Sequence, residues 1–176
     1  MPQKPHKIDQ LSAEQLDENL DQLAILLHAN VLAGASVSFV MPFDLPQSSR
    51  FWQHKIRPLV AAGDTLLLVA TLNGRIVGSV QLECDMPPNQ PHRAAIAKLL
   101  VHPDYRRKGI ARALMVAAEQ AAKQKNRNLL TLDTASDEAM ALYKQLGYVQ
   151  VGIIPGYALT AQATQLEATT IMYKTL

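Results

Sequence analysis

The chain has 176 residues, of which 48% are hydrophobic and 18% charged, and a net charge of +2. This size and balance fit one globular domain spanning 1–176 with a full core, and so small a net charge excludes a general polycation built for nucleic acid. One cysteine, Cys84, excludes an intramolecular disulfide. The most apolar long stretch, 24–41, is broken by His28, Asn30, Gly34, Ser36 and Ser38, so it reads as a buried helix and loop rather than a membrane span. The N-terminal Met-Pro-Gln-Lys-Pro-His-Lys has no apolar signal core, and the expected location is cytoplasmic.

A short strand is expected over 6–10. Ser12 then caps a helix, with Gln15 three residues on completing a capping box, and Gly34 stops it. Residues 35–46 read as a loop of small and apolar residues, 47–62 as a second helix ending at Gly63. Thr65–Leu72 and Arg75–Cys84 read as a hairpin turned by Asn73-Gly74, where positive φ is tolerated. A Pro-rich loop over 86–91 leads to a strand at 93–101. A helix over 109–125 follows, with a small-residue face of Ile110, Ala113, Leu114, Ala117, Ala118 and Ala121. Leu129–Thr134 is a strand and Asp137–Leu146 a helix stopped by Gly147. Tyr148–Ile154 and Leu166–Thr175 are two further strands, joined by a loop that starts Pro155-Gly156-Tyr157.

The most informative stretch is Leu100-Val-His-Pro-Asp-Tyr-Arg-Arg-Lys-Gly-Ile-Ala-Arg112. An apolar run broken by Lys98 ends in a polar turn, and Arg106-x-x-Gly109-x-Ala111 opens the Ala-rich helix. A helix N-terminus offers free N–H groups and partial positive charge, and small residues there let phosphates approach the main chain. Arg106, Arg107, Lys108 and Arg112 add four cations, so a pyrophosphate is the expected guest. Gly-Lys-(Ser/Thr), which a nucleotide phosphate-binding loop would use, is absent.

The Val-x-Pro-x-Tyr exit followed by Arg-x-x-Gly-x-Ala resembles the acyl-CoA-binding motif of the GNAT superfamily, the acetyl-CoA-dependent N-acetyltransferases. Ser136-Asp-Glu-Ala139-Met-Ala-Leu142-Tyr143-Lys-Gln-Leu-Gly147-Tyr148 resembles a second family segment, in which Asn usually stands where Ser136 does. The resemblance runs over nearly the whole chain. It implies an α/β single-domain fold, a mixed and mostly antiparallel sheet flanked by helices, with a central β-α-β acyl-CoA-binding unit. It also implies acetyl-CoA as cosubstrate. Leu99, Leu100 and Val101 would offer backbone groups to pantetheine. Arg106, Arg107, Lys108, Gly109, Ile110, Ala111 and Arg112 would hold the pyrophosphate, and Ser136 would be a shorter-reaching CoA contact or a plain helix cap.

By the same resemblance Tyr143 protonates the departing thiolate, a role its phenol can fill. Many family members carry a Glu on the strand before the motif, but here that strand reads Arg93-Ala-Ala-Ile-Ala-Lys-Leu. The remaining candidates for base or amine anchor are Asp133, at the end of an apolar strand, and Glu83; Asp133 is preferred, since a carboxylate at such a strand end faces a cleft. His102 reads as a surface turn residue and Cys84 as a small core residue. No Cys/His cluster indicates a metal. A narrower resemblance, in Gly34–Phe39, Leu132–Thr134, Val151–Tyr157 and Ile171–Leu176, is to the tabtoxin resistance acetyltransferases, and it implies a small-molecule amine acceptor. The expectation is acetyl transfer to such an amine by direct attack in a ternary complex, by a monomer or homodimer, with neither nucleic acid nor membrane as partner. The rivals are a protein or peptide N-acetyltransferase, which needs an open groove, and an acyl-CoA-binding module without catalysis.

Overall fold

The computed structural model describes residues 6–176. Its organising element is a seven-stranded sheet in the order β1-β2-β3-β4-β5-β7-β6. The strands are β1 (Lys7–Leu11), β2 (Thr65–Leu72), β3 (Arg75–Glu83), β4 (Arg93–Val101), β5 (Leu129–Thr134), β6 (Val149–Leu159) and β7 (Leu166–Thr175). β4 and β5 run parallel; the other neighbours are antiparallel. The helices are α1 (Ala13–Glu18), α2 (Leu20–Leu32), α3 (Leu45–Arg50), α4 (Arg57–Ala62), α5 (Ile110–Gln124) and α6 (Asp137–Gln145). The mixed sheet, the flanking helices and the central β4-α5-β5 unit are as the sequence leads one to expect.

Both faces of β2 are buried, which is why it reads Leu-Leu-Leu-Val-Ala without alternation. Leu66, Leu68 and Ala70 pack with Leu114, Met115 and Leu130 under α5, while Leu67 and Val69 pack with Leu23, Leu27 and Trp52 under α2. Each of these leucine, valine and methionine side chains contributes about 1.5–3 kcal/mol when fully buried. Close approach of α5 depends on Gly78 in β3. A Cβ there would lie 2.9 Å from the Leu100 carbonyl oxygen and 3.0 Å from the side chains of Ile110 and Leu114. Gly78→Val should therefore destabilise the fold by about 1–3 kcal/mol through overpacking, read as a lower urea midpoint. An unchanged midpoint would show that α5 has room to move.

The structure corrects four expectations. The first helix breaks at Asn19, whose side-chain amide donates to the Gln15 carbonyl at 2.8 Å and whose backbone leaves helical geometry. The Ser12–Gln15 capping box itself is formed. The second helix begins at Leu45, not at 47, because Asp44 and Gln47 form another capping box with Pro46 in the first turn. Residues Phe51–Ile56 of that helix are a π segment. Pro155-Gly156-Tyr157 lies inside β6 and is not a loop: β6 is an edge strand, where a missing proline donor is tolerated. A register shift between Ile154 and Ala158 accommodates Gly156 at φ 61°. The turn between β6 and β7 instead falls at Thr160–Gln165, closed by the Gln165 carbonyl accepting from the Thr160 N–H at 3.0 Å. Finally, α5 buries Ile110, Leu114, Ala118 and Ala121 as expected, with Met115 and Ala122 in addition. Ala117 packs partly against the same core, whereas Ala113 instead lines an open groove toward Ile8 and Gln10 of β1.

Candidate active site

The site starts from a splay in the sheet. β4 and β5 pair only at Arg93–Ala95 with Leu129–Thr131. Beyond that the β3–β4 register shifts between Ser79 and Gln81, and Lys98 takes a left-handed φ of 48°. The bulge reverses which face successive residues occupy. Ala94 and Ile96 pack under α5, and after Lys98 it is Leu99 and Val101 that do, while Leu100 turns to the α2 side. The last residues of β4 thus present a backbone edge toward β5 that β5 does not pair. The bulge is the structural meaning of the apolar run broken by Lys98.

From β4 the chain passes through a short 3₁₀ turn, Pro103–Tyr105, in which His102 Nδ1 accepts from the Asp104 N–H at 3.3 Å. Arg107 (φ 63°) and Gly109 (φ 76°) then shape the turn into α5. Gly109 is the N-cap and brings no side-chain cap, so the first amides of α5 remain free to donate outward. A Cβ built on Gly109 would meet nothing within 4 Å, so the space before the turn is open.

The four cations are not a single cluster. Arg106 donates to Asn30 Oδ1 at 3.2 Å, Arg107 to Glu138 Oε1 at 2.8 Å and Arg112 to Gln145 Oε1 at 2.6 Å. Lys108 Nζ stands 5.0 Å from the centre of the Tyr105 ring. Two of these contacts tie the turn to α6. The Arg107–Glu138 pair is largely exposed and readily exchanged for another anion.

α6 is started by Ser136, whose hydroxyl accepts from the Ala139 N–H at 3.2 Å, so the cap that sequence suggested is formed. One turn later α6 buries Tyr143, with its ring 5.7 Å from that of Tyr148. Burial, and then the charge of Asp133, push the Tyr143 phenol up to about 12, so it keeps its proton at every physiological pH. Asp133 is near the end of β5. Leu130 and Leu132 face the α5 side, so by alternation Asp133 faces the other, where its carboxylate accepts from the Thr169 hydroxyl at 2.9 Å. Glu83 ends β3 opposite Ala95 and is partly exposed. Cys84 is 7% exposed and burial pushes its thiol up, so it is a core residue and no poised nucleophile.

On the Asp133 side the loop after α2 closes over the sheet. Ser38 Oγ accepts from Lys98 Nζ at 3.0 Å, and the Met41 N–H donates to the Ala161 carbonyl at 2.7 Å, joining this loop to the β6–β7 turn. Next to Ser38 is a pocket of about 570 Å³ lined by Phe39, Phe43 and Phe51 with Arg50, His54 and Lys55. Sequence reasoning missed Lys98 and Thr169 as parts of this region and reached Ser38 only within the Gly34–Phe39 segment, although a lone lysine in an apolar strand was a visible signal. Among the described residues no group of three or more His, Cys, Asp or Glu could hold a metal ion, and no helix is long and apolar enough to cross a membrane.

The family model described as Acetyltransferase (GNAT) family matches residues 35–148. An uncharacterized N-acetyltransferase of Methanocaldococcus jannaschii is 32% identical over 93 residues, 51% of this chain and 41% of that protein. The chain spans about half the length of the curated relatives it matches. Among solved structures, a GNAT superfamily phosphinothricin acetyltransferase from Sinorhizobium meliloti, in complex with AcCoA, is similar with a TM-score of 0.78 at 16% identity, covering 98% of this chain and 89% of that one. A ribosomal-protein-alanine N-acetyltransferase from Brucella melitensis is similar with a TM-score of 0.76 at 18% identity, covering 97% and 99%. At these identities the likeness is one of fold, and the two names pair one fold with quite different acceptors.

Proposed function

Because the chain belongs to the GNAT acetyltransferase family, we propose that it transfers an acetyl group from acetyl-CoA to the primary amine of a small molecule. The observation that carries this reading is the splay of β4 from β5, which opens between the uncapped turn of α5 at one end and Tyr143 and Asp133 at the other. The residues fit a CoA thioester. The free edge at Leu99, Leu100 and Val101 suits an amide-bearing pantetheine arm. The Gly109 turn, with Ile110, Ala111 and Arg112 and the cations of Arg106, Arg107 and Lys108, suits a pyrophosphate. Ser136 has its hydroxyl on the Ala139 N–H, which favours the helix cap over a CoA contact.

Acetyl-CoA supplies an acetyl group activated as a thioester. Tyr143 gives its phenolic proton to the sulfur that leaves, and Asp133 receives or anchors the proton of the incoming amine. Buried Cys84 offers no route through a covalent acetyl-enzyme. A small acceptor is favoured over a peptide by the loop after α2, which the Met41–Ala161 hydrogen bond holds across the site where a peptide would need a groove. The segments that resemble the tabtoxin resistance acetyltransferases include Ser38 and Asp133 on this face, and they support the same class of acceptor.

The test is thiol release from acetyl-CoA against a panel of small amines, amino acids and peptides, with Asp133→Asn alongside. Release with a small amine and none with peptides is expected. Asp133→Asn should lower the rate while the acetyl-CoA KM stays put. A base loses importance at high pH, where free amine is abundant near its pKa of about 10, whereas an anchor shows mainly a raised amine KM. Release with peptides alone would overturn the acceptor class, and wild-type kinetics in Asp133→Asn would pass the proton to water or Glu83.

A further inference from the structure

Lys98 is set apart by its backbone and by the partner of its ammonium. It sits in the bulge of β4 at a φ of 48°, which an unbranched L residue adopts only at a cost. The bulge points it to the face that carries Asp133, where its ammonium donates to a neutral partner, Ser38 Oγ. Like most of the lysines and arginines, it forms no ion pair among the described residues. Glu83 and Asp133 lie near enough to favour its charge, but Lys55 opposes it. Burial dominates, so the ammonium is held below the usual lysine range. Lys98 is partly buried, the charge of exposed Lys55 opposes its own, and no carboxylate contacts it, so an anion bound there would be favoured. Gln81 adds to this preference. Val80 and Leu82 face α5, so Gln81 lies on the Lys98 side beside Ala97, 1% exposed, and its Nε2 donor has no partner among the described residues.

Lys98 faces the Ser38 side of the sheet, whereas the turn that suits the pyrophosphate opens α5 on the other side, so the anion is assigned to the acceptor. Asp133, on the same face, suits the amine. Beyond Ser38 lies the open hollow floored by Phe39, Phe43 and Phe51, which Arg50, His54 and Lys55 also line. We infer that the acceptor is an amino acid, or a close analogue of one, with an apolar side chain, and that Lys98 binds its carboxylate while the side chain enters the Phe39–Phe43–Phe51 pocket. This deepens the acetyltransferase reading and rests on it.

The experiment compares matched pairs, apolar α-amino acids such as leucine and phenylalanine against the same amines without the carboxylate, 3-methylbutylamine and 2-phenylethylamine. Thiol release is measured with acetyl-CoA, and melting temperature with CoA present. The acids should exceed their decarboxylated partners in kcat/KM by about tenfold to a hundredfold, the usual worth of one charge-assisted hydrogen bond, and they alone should raise the melting temperature of the CoA-bound protein. In Lys98→Met the acid-to-amine ratio should fall toward one, through KM for the acid. Lys98→Arg, which keeps the charge, should recover part of it. Lys98 is only partly buried and forms no ion pair, so its replacement should leave the fold intact, which circular dichroism checks. Equal or better turnover of the decarboxylated amines, or a ratio unmoved by Lys98→Met, overturns the inference and spares the acetyltransferase reading. Absence of thiol release with every amine, together with no CoA-dependent melting shift, overturns both.

Discussion

Tyr143→Phe should lower turnover by roughly 10²- to 10⁴-fold, the usual worth of a positioned general acid, while CoA affinity barely changes. The substitution keeps the ring that α6 buries beside Tyr148 and removes only the hydroxyl, so packing is preserved. A phenol held at about 12 is fully protonated at working pH and ready to donate. It also costs something. A proton moves downhill to a thiolate only if that thiolate is the stronger base, and a free thiol titrates near 8.5. For Tyr143 to act as the acid, the leaving sulfur must share its apolar surroundings and be raised with it, so that protonation relieves a poorly solvated thiolate. It follows that the rate-pH profile should carry no limb from Tyr143 below about pH 11, and any bell seen between pH 6 and 10 belongs to the amine and its acceptor group. Stability gives an independent reading. The folded phenol titrates above its unfolded value near 10, so its contribution is complete below pH 10 and is lost as the pH rises through 12. Burial raises Tyr148 in the same direction. Tyr143→Phe should therefore flatten the alkaline fall of the melting temperature. Full activity in this variant, measured as thiol release at saturating acceptor, would assign the proton to water.

The order of elements was legible because each has a local cause: the Ser12–Gln15 box, the Asn73-Gly74 turn, the Ser136 cap and the Gly147 stop all lie within a few residues of what they control. The α5 turn was legible for the same reason, since Arg106, Gly109 and Ala111 are adjacent in sequence. What was hidden depends on distant partners. Nothing near Arg106 announces Asn30, and nothing near Lys98 announces Ser38, sixty residues away. The bulge was half visible: Lys98 interrupts an apolar run, but only the pairing of β4 with β3 reveals an inserted residue and not a surface lysine on a regular strand. Pro155 was misread because its tolerance depends on β6 being an edge strand, a property of the sheet and not of the segment.

Gly109→Glu should abolish stabilisation by CoA. In the wild type, CoA at about a hundredfold excess over its dissociation constant should stabilise the fold by about 2.7 kcal/mol, roughly 5–10 °C in melting temperature for a chain of this size. The Glu side chain would project into the open space ahead of the turn, where a Cβ meets nothing, and would place a carboxylate among the amides that begin α5. Backbone strain is a separate effect. Any side chain at a φ of 76° costs about 1–2 kcal/mol, and that loss lowers the melting temperature with or without CoA. Gly109→Ala isolates it, since alanine brings the same strain with neither bulk nor charge. The expected pattern is a lower baseline in both variants, a CoA shift largely kept in Gly109→Ala, and none in Gly109→Glu. Equal shifts in all three proteins would move the pyrophosphate away from this turn. Loss of the shift in both variants would instead mean that the left-handed turn itself, and not the space before it, is what CoA requires.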